Sequence, residues 1–299
     1  MNYTISQFKK SFPDENACLD FLFNARFGKS YKCPKCGKTG FYRIKTRKCY
    51  GCAWCGYQVY PLKGTIFSGS STDLYNWFYA IYRFSTSKNG VSAKELQGVL
   101  GITYKTAWRI AYLIRTLMTQ GIDKLNKIVE IDEMYVGGKR RMNKRNENKS
   151  MVVGMVQRGG KVKAQHIKEY WTPTMMKTLV DNVECGTRLI TDDSCIMRKT
   201  KRLGYLHDSI KHSAKEYVKG DIHTNTIEGF WSQIKRSLDG TYHSISAKHL
   251  QSYVDEFAYR YNYRYASVSV FEALLLRLCG LPDEGGQKMP LLKLPVASS

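Results

Sequence analysis

A chain of 299 residues can bury a sizeable core and divide into two or three domains. Its 47 lysines and arginines against 25 aspartates and glutamates give a net charge of +22, which makes a polyanion the expected partner, nucleic acid ahead of a membrane surface. No apolar run approaches the ~20 residues of a membrane span, and the start, MNYTISQFKK, lacks a signal-peptide core, so membrane-spanning and secreted classes are set aside.

Residues 14 to 27, DENACLDFLFNARF, follow Pro13 and predict a short amphipathic helix with Leu19, Phe21, Leu22 and Phe27 apolar. Next come Cys33-Pro-Lys-Cys36-Gly37, a basic tract from Arg43 to Lys48, and Cys52-Ala-Trp-Cys55-Gly56. That spacing predicts a four-thiolate zinc site, each pair with its glycine making a tight turn toward one tetrahedral Zn²⁺. A redox dithiol fits worse, because neither pair opens a helix next to a strand, and Cys49 leaves a second register open for the later pair. Cysteines arranged for metal imply a reducing compartment, hence an intracellular, cytoplasmic protein. So small a ribbon depends on its metal, which contributes ~10 to 16 kcal/mol to such modules.

After Pro61, Leu74, Trp77, Phe78, Ile81 and Tyr82 recur at helical spacing. The run Val91 to Met118 then predicts two helices joined at Gly101-Ile102, a helix-turn-helix whose second helix, opened by Thr103, offers Tyr104, Lys105, Thr106 and Arg109 to a DNA groove.

From Lys127 the period changes to two. IVEIDEMYV, then MVVGMVQ and KVKAQHI around Gly159-Gly160, then RLITD read as strands, with a helix begun by Pro173 among them. The pattern predicts an α/β domain, a mixed sheet with covering helices. KRRMNKRNENK, with Lys139, Arg140 and Arg141, is too polar for a core and becomes a phosphate clamp in a DNA-binding protein. A last helix would place Leu250, Val254, Phe257, Tyr261 and Tyr265 on one apolar face. The tail from Gly285 carries no functional signal. The expected domains are 1–67 (helix and ribbon), 68–122 (helix-turn-helix region), 123–280 (sheet domain) and 281–299 (tail).

In HTNTIEGFWSQIKR, His223 to Arg236, a helix would put Asn225, Glu228 and Lys235 on one side and Ile227, Phe230, Trp231 and Ile234 in the core. Asp132 lies within the first strand of the sheet domain, and Asp192 ends LIT. Three carboxylates converging at strand ends and a neighbouring helix repel one another unless cations bind them. Two Mg²⁺ or Mn²⁺ ions, roughly 3.5 to 4 Å apart, answer that need for in-line displacement at phosphorus. Glu133 and Asp193 adjoin these aspartates and compete as ligands if a strand ends one residue later; alternation favours Asp132, with Ile131 and Glu133 facing the other way.

Asp192, Glu228 and Lys235, with VEIDEMYVGGK, LITDD, HSAKEYVKG and HTNTIEGFWSQIKR behind a zinc ribbon ending in GTIF and a YKTAW helix, resemble the DDE transposases of bacterial insertion sequences that carry an N-terminal zinc ribbon. The resemblance runs from about Asp14 to Tyr265. It implies a ribonuclease H-like fold, divalent metal, and cutting and joining at the terminal inverted repeats of a mobile element, with double-stranded DNA as partner and at least a dimer on it. Carried over, Asp132 and Asp192 are metal-binding aspartates; the third ligand is Asn225 or Glu228, with Glu228 favoured because a carboxylate binds Mg²⁺ better than an amide. Lys235, followed by Arg236, would meet the phosphate beside the scissile bond, and His223 would orient a carboxylate or water. The segment SCIMRKTKR after Asp193 lacks an aromatic expected there. Two other classes compete: a catalytically inactive zinc-ribbon regulator, and a metal-dependent nuclease without strand transfer.

Overall fold

A computed structural model of the chain describes residues 3–137, 149–167, 172–192, 197–210 and 220–281. In chain order the elements are α1 (Ile5–Ser11), α2 (Glu15–Phe27), β1 (Phe41–Ile44), β2 (Cys49–Cys52), β3 (Gln58–Val59), α3 (Leu74–Thr86), α4 (Ala93–Leu100), α5 (Tyr104–Thr116), β4 (Ile128–Val136), β5 (Ser150–Gln157), β6 (Val162–Ile167), α6 (Thr172–Asn182), β7 (Arg188–Asp192), β8 (Leu206–Ile210), α7 (Asn225–Ser237), α8 (Leu250–Asn262) and α9 (Val270–Leu278). They form two compact units, one from Met1–Leu117 with Ala266–Ser299 and the other from Met118–Tyr265.

In the first unit, α2 starts where Asp14 accepts a hydrogen bond from the Ala17 N–H, and α1 where Thr4 and Gln7 form a reciprocal capping box. α1 is an addition to the sequence reading; its capping box was the available signal. β1, β2 and β3 make a three-stranded antiparallel sheet. Phe23 of α2 stacks on Tyr50 of β2 at 3.9 Å between ring centroids. α4 ends at Gly101, whose φ of 64° is the left-handed conformation a helix C-terminus requires, and Thr103 caps α5, so the two expected helices and the turn between them are present. Arg115, buried, donates to the Val91 carbonyl at 3.2 Å and lies over the Phe84 ring, tying α5 to α3 and to the segment before α4.

The contacts divide the chain differently from the expected boundaries. Residues 1–67 and 68–117 share one unit, and α9, expected inside the 123–280 domain, packs in that unit instead. The cause is aromatic: Phe271 of α9 is fully buried among Tyr3, Phe8, Phe12 and Tyr82, with centroid separations of 4.8 to 6.0 Å.

The second unit is built on a five-stranded sheet of order β6-β5-β4-β7-β8. β4, β5 and β6 are antiparallel neighbours, while β7 and β8 run parallel to β4. Three antiparallel strands followed by two parallel ones on the far side of the first strand is the ribonuclease H-like arrangement. β8 is a further addition: its His207, Asp208 and Ser209 carry no apolar alternation, and it sits at the sheet edge. The sheet is covered on both faces. Val129, Ile131, Met151, Val153, Met155, Ile167 and Leu189 pack against Met175 and Leu179 of α6. Met134, Val152, Val156, Val162 and Ala164 pack against Ile227, Phe230, Trp231 and Ile234 of α7 and Leu250, Val254, Phe257 and Tyr261 of α8. Tyr265, expected on that last stripe, lies beyond the end of α8 and is 85% exposed.

The Phe271 contacts generate a prediction: Phe271→Ala should lower stability by about 3 to 5 kcal/mol in urea denaturation followed by tryptophan fluorescence.

Candidate active site

β4 is the first strand of its unit, and the chain leaves it toward β5 and β6 on one side before crossing to β7 on the other. The β4/β7 boundary is thus the switch point, where the carboxyl ends of parallel strands leave a crevice. The last register pair there is Ile131 with Thr191, so Asp132 and Asp192 each stand one residue further along adjoining strands. Ile131 belongs to the α6 face. By alternation Asp132 and Asp192 both turn toward the α7 face, and Glu133 turns away.

Asp132 lies opposite Gly154 of β5. A Cβ at Gly154 would stand 2.5 Å from the Trp231 ring, so this glycine lets the α7 tryptophan reach the sheet. The Trp231 indole N–H then donates to Asp132 Oδ2 at 3.0 Å. Three residues earlier on α7, Glu228 is exposed, and its Oε1 accepts from the Thr224 hydroxyl at 2.9 Å. Burial, then the negative charges of Asp192 and Glu228, raise the Asp132 carboxyl above the usual carboxylate range, against the backbone and Trp231 hydrogen bonds that lower it. Glu133 is pushed up to about 7 by burial and by the charges of Asp192 and Asp132. The two strands and α7 therefore bring Asp192 and Glu228 each within electrostatic reach of Asp132.

α7 itself is set by Glu130, which sequence reasoning passed over. This carboxylate is fully buried. Its Oε2 accepts from the backbone N–H of Thr226 at 2.8 Å and of Ile227 at 3.0 Å, and its Oε1 from the Thr226 hydroxyl at 2.8 Å. It thereby satisfies the free N–H groups of the first turn of α7 and places a negative charge at the positive helix end. Thr224, the cap residue, makes no side-chain cap bond to the helix, so a strand residue does the capping. Arg158 completes the clamp: its Nε meets Glu130 Oε1 at 2.7 Å, and its guanidinium donates to the carbonyls of Asp221 at 2.6 Å and His223 at 2.8 Å. His223 Nδ1 lies 3.4 Å from Glu130 Oε1 without a hydrogen bond, so His223 faces this clamp. Two signals for these residues were present in the sequence: Glu130 shares the period of two with Asp132, and an isolated glycine inside a strand marks close approach. Nothing local marks Arg158.

The remaining predicted site residues fall as follows. Asn225 is the first residue of α7, and Asn225, Lys235 and Arg236 are exposed on it. Lys105 and Arg109 are exposed on α5, where Trp108 and Tyr112 stack with rings 3° from parallel; Thr106, expected beside them, is half-buried and bonded to Thr103 in the helix cap. Lys139, Arg140, Arg141 and Asp193 lie outside the described residues.

In the ribbon, Cys33, Cys36, Cys52 and Cys55 bring their sulfurs within 4.8 Å of one another, and this is the one such donor group among the described residues. Despite desolvation, hydrogen bonds from the backbone N–H of Trp54 and Cys55 and from the thiols of Cys36 and Cys33 hold Cys52 well below the ordinary thiol range. A soft, thiolate-rich tetrahedral set suits Zn²⁺. Cys49 is buried in β2 with its Sγ toward Gln58, which removes the alternative register. Asp132 suits a hard dication by another observation: a half-buried carboxyl raised by burial and by the charges of Asp192 and Glu228 would be relieved by a bound cation.

Residues 124–262 match the family of ISXO2-like transposase domains, and residues 13–58 the transposase zinc-ribbon domain. A protein of Halobacterium salinarum (strain ATCC 700922 / JCM 11081 / NRC-1), described as an uncharacterized protein in transposable element ISH50, is 26% identical over 278 residues, covering 84% of this chain and 92% of its own. Among solved structures, a chain of the simian T-cell lymphotropic virus intasome bound to PP2A regulatory subunit B56 gamma aligns with 67% of this chain and 75% of its own at 12% identity and a TM-score of 0.33. A chain of the Mos1 strand transfer complex aligns with 71% and 79% at 11% identity and a TM-score of 0.23. Likeness that distant says nothing about site or mechanism.

Two outcomes are expected. Glu130→Ala strands the Arg158 charge and the α7 N–H groups, and should cost about 3 to 5 kcal/mol in urea denaturation. Cys36→Ser should lower bound zinc, read by metal analysis, and loosen the N-terminal 60 residues to protease; unchanged zinc content would contradict the thiolate assignment.

Proposed function

We propose that this chain, which belongs to the insertion-sequence transposases that combine a zinc ribbon with an ISXO2-like transposase domain, cuts and joins DNA at the terminal inverted repeats of a mobile element. The observation that carries this reading is that Asp132, in the middle of β4, and Asp192, at the end of the parallel β7, stand on adjoining strands, with the charges of Asp192 and of Glu228 on α7 acting on Asp132 and Trp231 of the same helix bonded to it.

Asp132, Asp192 and Glu228 would hold two Mg²⁺ or Mn²⁺ ions, which supply activation of the attacking oxygen and neutralisation of charge at the leaving one. The protein's own part is placement. The Trp231 N–H fixes one oxygen of Asp132, and Glu130 and Arg158 hold the first turn of α7, the helix that carries Glu228. Asn225, at the first position of that helix, is the neutral alternative for the third ligand; Glu228 is favoured because it neutralises cationic charge. Lys235 lies two turns along from Glu228, placed to meet a phosphate next to the scissile bond. Lys105 and Arg109 on α5 would follow duplex phosphates or base edges, as would Arg236 and the basic tract at Lys139, Arg140 and Arg141. Joining two element ends to target DNA needs both held together, so the working form is at least a dimer, acting in the cytoplasm at the nucleoid.

The test is a strand-transfer assay with labelled element ends in Mg²⁺. The intact protein should cleave and join, and Asp192→Asn should lower both by at least ~10³-fold, as expected when a metal ligand is neutralised. Glu228→Gln should lose more activity than Asn225→Ala; the reverse order would move the third ligand to Asn225. Cleavage without joining would identify a nuclease, and tight DNA binding with no Mg²⁺-dependent product a regulator.

A further inference from the structure

The zinc ribbon has two unlike faces. Phe41 and Tyr50 turn inward to Phe23 of α2, and Arg43 and Tyr50 reach Asp20 there. The opposite face forms a cross-strand row, Tyr42 of β1 beside Gly51 of β2 beside Gln58 of β3. The Tyr42 ring lies over Gly51, where a Cβ would meet its outer carbon at 3.0 Å, yet the residue is 54% exposed. Tyr60, 46% exposed, extends the row by donating its hydroxyl to Gln58 at 2.7 Å. On the neighbouring cysteine turn Trp54 is 63% exposed, oriented by a 3.0 Å hydrogen bond from its indole N–H to the Thr39 carbonyl and by Lys38, whose ammonium stands 4.2 Å from the ring.

Three large rings presented outward and held in place by their own hydrogen bonds or by packing on a glycine are more than a solvated surface needs. Their electrostatic setting selects the occupant. Between positions 28 and 72 the sequence contains nine lysines and arginines and no acidic residue; Arg43 and Lys48 are ion-paired to Asp20 and Glu15 of α2, and the excess carried by the others favours an anionic partner over a cationic one. Lysines alone would serve phosphates. Rings add binding only where flat π-faces are available, and a duplex hides those faces within its stack while an unpaired strand offers them.

We infer that the zinc ribbon, with Tyr42 and Tyr60 on its outer face and Trp54 on the cysteine turn as stacking platforms and the surrounding lysines as phosphate partners, binds DNA through unpaired bases. This goes beyond the transposase reading and does not depend on the carboxylates.

The experiment measures fluorescence anisotropy of a labelled 12-nucleotide single strand and of the corresponding duplex, each titrated with full-length zinc-loaded protein across a salt series. Tyr42→Ala and Trp54→Ala should each weaken single-strand binding by about tenfold, leave the slope against salt unchanged, and alter duplex affinity by less than about twofold. Lys45→Ala combined with Arg47→Ala should instead flatten the slope by about 1.4 for a single strand. Gly51→Ala, which displaces the Tyr42 ring at little cost because only the end of a flexible side chain must move, should reproduce the Tyr42→Ala loss. Zinc content is measured for each variant, and Tyr42→Leu, which keeps the packing over Gly51 without a stacking ring, replaces any variant that loses metal. Unchanged single-strand affinity, equal losses on single strand and duplex, or variants that alter only self-association in sedimentation would overturn the inference, the last by making a second copy the occupant.

Discussion

The arrangement of the second unit depends on one buried carboxylate. Glu130 has no exposed surface and accepts hydrogen bonds from the first turn of a helix nearly a hundred residues later in the chain. An isolated buried charge is prohibitively costly; here the backbone N–H groups of α7, the Thr226 hydroxyl and the Arg158 guanidinium compensate it together. The compensation is also a positional constraint. Because the helix N-terminus must meet Glu130, α7 can neither slide nor rotate on the sheet without stranding that charge, and Glu228, one residue past the capped N–H groups, inherits the position.

A second constraint works two residues further along β4. Asp132 is held by the Trp231 indole, and Trp231 reaches it only because position 154 has no side chain. Glycine in the middle of a central strand weakens it, and a raised carboxyl beside two others carries repulsion. Both costs fall at one rung of the sheet, where Asp132 faces Gly154 beside the β4/β7 boundary, and locally unfavourable structure of this kind gathers at sites. Glu133 shares the repulsion but not the direction, since alternation turns it away from α7.

The first unit is stabilised by different means. Its helices interlock through aromatic rings, and the last described helix of the chain supplies the central one, Phe271. The ribbon adds four thiolates and one packed face. With its inner face committed to α2, the ribbon's outward rings and the basic residues around them are left for a partner, as are Lys105 and Arg109 on α5.

Much of this was legible in the chain as written. Two CxxC pairs define their thiolate set because ligand spacing is a local property. Helix caps at Asp14 and Thr103, the left-handed turn at Gly101, the strand period from Ile128 and the buried stripe of α7 are local for the same reason, and Asp132, Asp192 and Glu228 could be singled out by type and position. What the tertiary structure decided was everything that depends on contact between distant segments: that Glu130 rather than Thr224 caps α7, that Gly154 admits Trp231, that Arg158 closes the clamp, that β8 joins the sheet without an apolar pattern, and that α9 belongs with the N-terminal helices. Those roles arise from pairing between segments 18 to 268 positions apart in the sequence, and a local pattern records only what neighbours along the chain require.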